Sequence, residues 1–221
     1  MRAIAFGNPA GLSQRELIES LDTIISMAIA ITTDIRQSLG EKDASSNVQS
    51  AISEIISIGK ELQGLVKEMK ATHDEIREKS QYLVTLPQRY EELRGKQDAQ
   101  SVKWRTNVKR TFENYRNELL DLYSKILHAA VFINERADEL ERLSSQIGET
   151  LRREAPQLLS RTTPTFGISV ESMMENLMGS VSHLKNFSQT LIDKVSRARI
   201  GLRSKTLEKW RLLTFLFTLK D

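Results

Sequence analysis

The chain has 221 residues, 39% hydrophobic and 28% charged, with ten Gly, four Pro and no Cys. That scarcity of turn formers, about half the ~12% Gly plus Pro of average proteins, together with 6% aromatics, leaves little material for a turn-rich all-β fold and asks for long helices. The missing cysteines exclude disulfide scaffolds, thiol catalysis and Cys-based zinc sites, and a net charge of +3 from 32 basic and 29 acidic residues means that only local clustering could argue for a polyanionic partner.

The start, Met1 to Pro9, has one charge and a hydrophobic run too short for a secretory h-region, so no signal peptide is expected. The most apolar interior stretch, Ile24 to Ile31, falls short of the ~20 apolar residues of a spanning helix. The chain therefore reads as soluble, cytoplasmic or peripheral to a membrane.

Ser13-Gln-Arg-Glu16 is a capping box and Leu39-Gly40 a helix stop, which predicts a first helix over 14–39. Leu17, Leu21, Ile24, Ala28, Ile31 and Ile35 give it one apolar stripe, and Ile24–Ile31 is apolar around the whole circumference, as for a buried central helix or a concealed segment. After a polar connector, Ser46 and Gln49 offer a second capping box. Val48, Ile52, Ile55, Leu62, Leu65, Met69, Ile76 and Leu83 then keep a helical stripe as far as Pro87, with Gly59 and Gly64 as weak points. Pro87 either kinks a continuing helix or sits near the first turn of a new one capped by Thr85, so the hairpin tip falls within 85–101.

From Val108 the pattern is a heptad seam: Phe112, Tyr115, Leu119, Leu122, Ile126, Ala129 and Ile133, continued after a stutter by Ala137, Leu140, Ile147 and Leu151. A helix over about 101–153 would be ~80 Å long at ~1.5 Å per residue, which predicts a rod. Residues 155–168, with two prolines and Gly167, read as a hinge loop. Ser169 then caps a last helix, inside a staple of Ile168 and Met173, with Val170, Met174, Leu177, Val181, Leu184, Leu191, Val195 and Leu202 as its stripe. The expected organisation is 1–154 as N-terminal helix plus long hairpin, 155–168 as hinge and 169–221 as C-terminal helix with an apolar basic end, in one continuous domain. The fold class is all-α: an elongated helical bundle with a long antiparallel coiled-coil hairpin.

The chemistry of an enzyme is missing from the sequence. His73, His128 and His183 are far apart and lack the Glu-x-x-His spacing of a di-iron bundle, and no phosphate loop or nucleophile elbow occurs. Glu135, Asp138, Glu139 and Glu141 flank the heptad seam, where solvated charges are expected. No catalytic residue, metal, cofactor or small-molecule substrate is expected.

Two basic clusters remain. Arg94, Lys96, Lys103, Arg105, Lys109 and Arg110 surround Trp104 at the expected tip, with Asp98 as the one acid within 94–110, a pattern that can meet lipid or nucleic-acid phosphates or be a solvated helix face. Lys194, Arg197, Arg199, Arg203, Lys205, Lys209 and Arg211 lead into Trp210, Leu212, Leu213, Phe215, Leu216, Phe217 and Leu219. Basic residues beside Trp, Phe and Leu suit an interfacial membrane helix or a partner's groove, and the same end could fold back to complete the bundle.

In helix order and length, the layout is similar to BAR-type membrane-curving domains and to the α-helical pore-forming cytolysins. The resemblance implies a non-enzymatic protein acting through helix–helix assembly, with itself or a protein partner, and through contact with an anionic membrane. The alternative is a nucleic-acid-binding or nucleocapsid-like helical assembly protein that uses the tip cluster.

Overall fold

The computed structural model describes residues 8–40, 43–93 and 96–204. A 3-10 turn, Pro9–Gly11, precedes helices α1 (Gln14–Leu39), α2 (Ser46–Leu93), α3 (Ala99–Glu154), the single turn α4 (Pro156–Leu159) and α5 (Val170–Arg203). The protein is an all-α helical bundle in which long helices pack on one another.

Local chemistry sets the ends of α1. Ser13 Oγ accepts the Glu16 amide while the Glu16 carboxylate accepts the Ser13 amide at 2.7 Å, and Gly40 closes the helix at φ +67°, a backbone conformation open to glycine. The start of α2 departs from expectation. Ser46 lies inside the helix, Gln49 donates its amide to the Ser45 carbonyl, and its side chain reaches back 2.8 Å to the Gly40 carbonyl instead of closing a box with Ser46. Pro87 also sits inside α2, so the helix continues past it rather than restarting at Thr85. Pro87 has no amide hydrogen for the Leu83 carbonyl, while Leu83, Leu86 and Pro87 itself are buried, so packing holds what local chemistry would break. Thr85 uses its hydroxyl on the Tyr82 carbonyl at 2.8 Å. α2 is described to Leu93 and α3 from Ala99, where Asp98 caps α3 by accepting the Ser101 amide at 2.8 Å.

The chain divides into two compact units. The first holds residues through Lys70 together with His128–Asp193, and the second holds Ala71–Leu127 together with residues from Lys194 onward. In the first unit, successive helices run antiparallel. Asp22 pairs with Lys70 and Ser26 with Gln63, Glu61 lies 3.5 Å from Arg136, and Asn134, Asp138 and Ser145 meet Ser188, Lys185 and Met178. Its core is built on Leu17, Leu21, Ile24, Ile25 and Ile35 of α1 against Ile52, Leu62, Ile133 and Phe187, all nearly without exposure.

Ile24–Ile31 is not enclosed all round, because Ser26 and Ala30 face solvent. On α2 the stripe turns at Val66 rather than Leu65, which is half-buried. Ile58 and Gly59 are buried as well, and a Cβ at Gly59 would stand 2.5 Å from Ile29 Cγ1, so this glycine is what lets α1 approach α2. A Cβ at Gly64 would meet nothing within 4 Å.

Residues 155–169 are fastened to the C-terminal end of α1. Thr163 donates its amide to the Ile168 carbonyl at 2.8 Å, and Thr162 and Ser169 form an isolated antiparallel bridge. Arg161 donates to the Ser38 carbonyl and pairs with Asp43 at 2.8 Å. Asp34, only 2% exposed, accepts the amides of Thr165 (2.9 Å) and Phe166 (3.2 Å). Burial pushes its carboxyl up, but the Thr165 amide, the Thr165 side chain and the Phe166 amide together outweigh that and hold it below the ordinary aspartate value.

In the second unit, α2 and α3 lie antiparallel with Lys79 against Glu118 at 2.7 Å, the Tyr82 and Tyr115 rings 4.7 Å apart, and Lys109 over the Tyr90 ring. Val108, Phe112, Leu119, Leu122 and Ile126 are buried as the heptad requires, whereas Tyr115 stays half-exposed because its ring stacks on Tyr82 at the flank of the seam.

Candidate basic and aromatic surface

The α2–α3 connection and the first turns of α3 carry the predicted basic cluster, and the structure sorts its members by what they do. Arg94 lies outside the described residues. Arg105 is half-buried and donates to the Leu93 carbonyl at 2.9 Å and the Lys96 carbonyl at 2.8 Å, so it caps the end of α2 rather than standing free. Lys109 Nζ lies 5.4 Å from the Tyr90 ring centroid, a cation–π contact that ties α3 to α2. Lys96, Lys103 and Arg110 are exposed and have no acidic partner among the described residues. Asp98 is committed to the α3 cap, and the hydrogen bonds from the Ser101 hydroxyl and amide lower its pKa.

Apolar groups interrupt these charges. Trp104 is 55% exposed and Val102 45%, among the most exposed large apolar side chains described. Trp104 also walls one side of a groove of about 300 Å³ between the two helices, with Tyr82, Leu86, Leu93 and Val108 as its other apolar lining and Arg89, Glu92, Asn107 and Thr111 at its edges. The surface thus offers free cations, an aromatic ring with one face open, and an apolar trough.

Of the second predicted cluster, Lys205, Lys209, Trp210, Arg211, Leu212, Leu213, Phe215, Leu216 and Phe217 lie outside the described residues. Arg203 is exposed on the last turn of α5, where a cation complements the helix dipole. Ile200, beside it, is 68% exposed, and Leu202 is buried.

Of the acidic residues flanking the α3 seam, Asp138, Glu139 and Glu141 are engaged in ion pairs. Asp138 and Glu141 both hold Lys185, whose pKa rises from its hydrogen bond to Asp138 and then from that to Glu141, and Glu139 pairs with Arg136. Among the described residues, no three His, Asp or Glu side chains converge on a point that could take a metal ion. No described helix is long and apolar enough to cross a membrane. Comparison with protein-family models, curated proteins and solved structures finds no match to this chain.

Sequence reasoning missed the structural roles of Arg105 and Asp34. Arg105 could have been suspected, since a cation a few residues beyond a helix end is placed to reach its last carbonyls. Asp34 carried no such signal, because its partners Thr165 and Phe166 are more than 130 residues away in the chain.

Proposed function

We propose that this is a non-enzymatic helical-bundle protein that works by helix packing, with itself or a protein partner, and by docking on an anionic membrane surface, as a membrane-shaping or pore-forming protein does. The observation that carries the membrane part is the exposed Trp104 and Val102 set among Lys96, Lys103 and Arg110, with the nearby acid Asp98 consumed as a helix cap. Each cation held near an anionic leaflet contributes about 1 kcal/mol, and a tryptophan ring suits the headgroup level. The predicted basic and apolar end, Arg203 to Leu219, supplies the same chemistry a second time.

Flotation with vesicles of phosphatidylserine and phosphatidylcholine, beside vesicles of phosphatidylcholine alone and a single-stranded RNA, tests the reading. The protein should float with the anionic vesicles at low salt, be released as the Debye length falls to about 3 Å near 1 M salt, and bind more weakly when Lys103→Glu and Arg110→Glu are combined. Retention of RNA without vesicle binding would replace the reading with the nucleic-acid one, in which Trp104 stacks on a base. Binding to neither would overturn it.

A further inference from the structure

We infer that the trough beside Trp104 is a self-association surface, filled by the same trough of a second copy of this chain about a two-fold axis. The inference rests on the self-assembly half of the reading above and is tested without lipid, so its failure and that of the membrane half are told apart.

A two-fold contact requires one patch to be its own complement, so a projecting group and the hollow that receives it must both lie on that patch. The trough has both. Between α2 and α3, Lys79 meets Glu118 and Tyr82 meets Tyr115, pairs whose numbers add to 197, and Lys109 meets Tyr90, a pair that adds to 199. At the register of the first two, Trp104 stands level with Leu93 at one end of the trough, Thr111 stands level with Leu86, and Tyr82 lies at the other end. Trp104 projects at 55% exposure, whereas Leu86 and Val108 along the same trough are buried, so the knob and an apolar floor sit on one surface.

Charge fixes where the axis falls. Arg89 and Glu92 are three residues apart on α2, both exposed at the edge of the trough, and neither is in an ion pair among the described residues. With two copies of α2 antiparallel, an axis level with Tyr90 and Glu91 sets Arg89 of each copy against Glu92 of the other. The same rotation moves Trp104 from the level of Leu93 to a level between Leu86 and Arg89 of the second copy, over the middle of its trough. One operation therefore pairs both unpartnered charges and covers both rings, whereas parallel copies of α2 would set like charge against like. At ~100° per residue, Lys103 and Arg110 lie about 100° and 120° round α3 from Trp104, both on the same side, so they stay at the rim. Of the surface assigned to the membrane, the dimer covers Trp104 and leaves Val102, Lys103 and Arg110 in water.

Sedimentation velocity of the full-length chain in lipid-free, low-salt buffer should show monomer passing to dimer as concentration rises, as small reversible interfaces do. Arg89→Glu alone and Glu92→Arg alone each place two like-charge pairs across the axis and should weaken dimerisation about tenfold or more. An equal mixture of these two variants should recover it as a heterodimer, and Arg89→Glu combined with Glu92→Arg in one chain should recover it as a homodimer. Because the chain has no native cysteine, Asn107→Cys, level with Tyr90 and beside the axis, should be linked copy to copy by a short bis-maleimide, with a yield that falls on dilution. A wild type that stays monomeric at every concentration would overturn the assignment and leave the trough to a partner of different sequence. A dimer indifferent to both single substitutions, or single variants that fail to pair when mixed while the wild type dimerises, would overturn it as well.

Discussion

The two compact units divide the work of packing and of display. In the first, four helical segments enclose a core of Leu and Ile, and nearly all of the buried polar side chains sit there: Thr32, Asp34, Ser144, Thr163, Ser180 and Ser188. Among the described residues of the second, only Ser101 is of that kind, while Tyr82, Val102, Trp104 and Ile200 make up all but one of the exposed large hydrophobics described. Where four segments meet, positions beside the heptad seam are covered too; where fewer meet, the seam is buried and its flanks are left to aromatic and charged pairs such as Tyr82 with Tyr115 and Lys79 with Glu118. The first unit is organised to hold a shape, and the second to present a surface.

The largest effects should separate the cores. Phe187 in the first unit and Phe112 in the second are both almost fully buried. Removing either ring to Ala leaves a cavity costing about 3–5 kcal/mol, and the Phe187 site, in the unit where four helical segments pack together, should lie at the upper end because it can collapse less. Denaturant titration of both variants checks this, and a larger loss at Phe112 would reverse the comparison.

A smaller effect should appear at the fastening of the 155–169 segment. Asp34→Asn keeps the shape but removes the charge that accepts two amides, for a loss of about 1.5–3 kcal/mol at neutral pH. Because the folded-state pKa of Asp34 is depressed, its contribution is present above the ordinary value of 3.8 and is lost as pH falls through the lower folded value. The stability gap between wild type and Asp34→Asn should therefore close in acid and not in base. A gap independent of pH would remove the carboxylate from the account.

The smallest pair concerns two glycines of one helix. Gly59→Ala forces a methyl against Ile29 and should destabilise by about 1–3 kcal/mol, whereas Gly64→Ala meets nothing and should stabilise by up to about 1 kcal/mol. Thermal unfolding of both reads the sign directly, and a shared sign would mean that the α1–α2 approach at Gly59 is not close.

What the sequence made legible follows from the range of the interactions. The bounds of α1 could be read because Ser13, Glu16 and Gly40 act on neighbours within a few residues, and the α3 seam because its period repeats over many turns. Gly59 and Gly64 looked alike in the sequence, since only the facing Ile29 distinguishes them. Pro87 left open a kinked continuing helix or a new start at Thr85, and α2 continues past it with Leu83 and Leu86 buried, while Ser46 suggested a capping position that lies inside α2. In the candidate surface, composition located the cations around Trp104 but could not tell Arg105 and Lys109, which bind α2, from Lys96, Lys103 and Arg110, which face water.

Hydrogen exchange of the full-length protein with and without phosphatidylserine-containing vesicles bears most directly on the division between a unit that holds shape and a unit that we propose meets a membrane. Amides and adjacent segments around 96–111 should gain protection on the vesicles while α1 and the 155–169 segment stay unchanged. Protection confined to the first unit, or none anywhere under conditions where the protein floats with the vesicles, would contradict it.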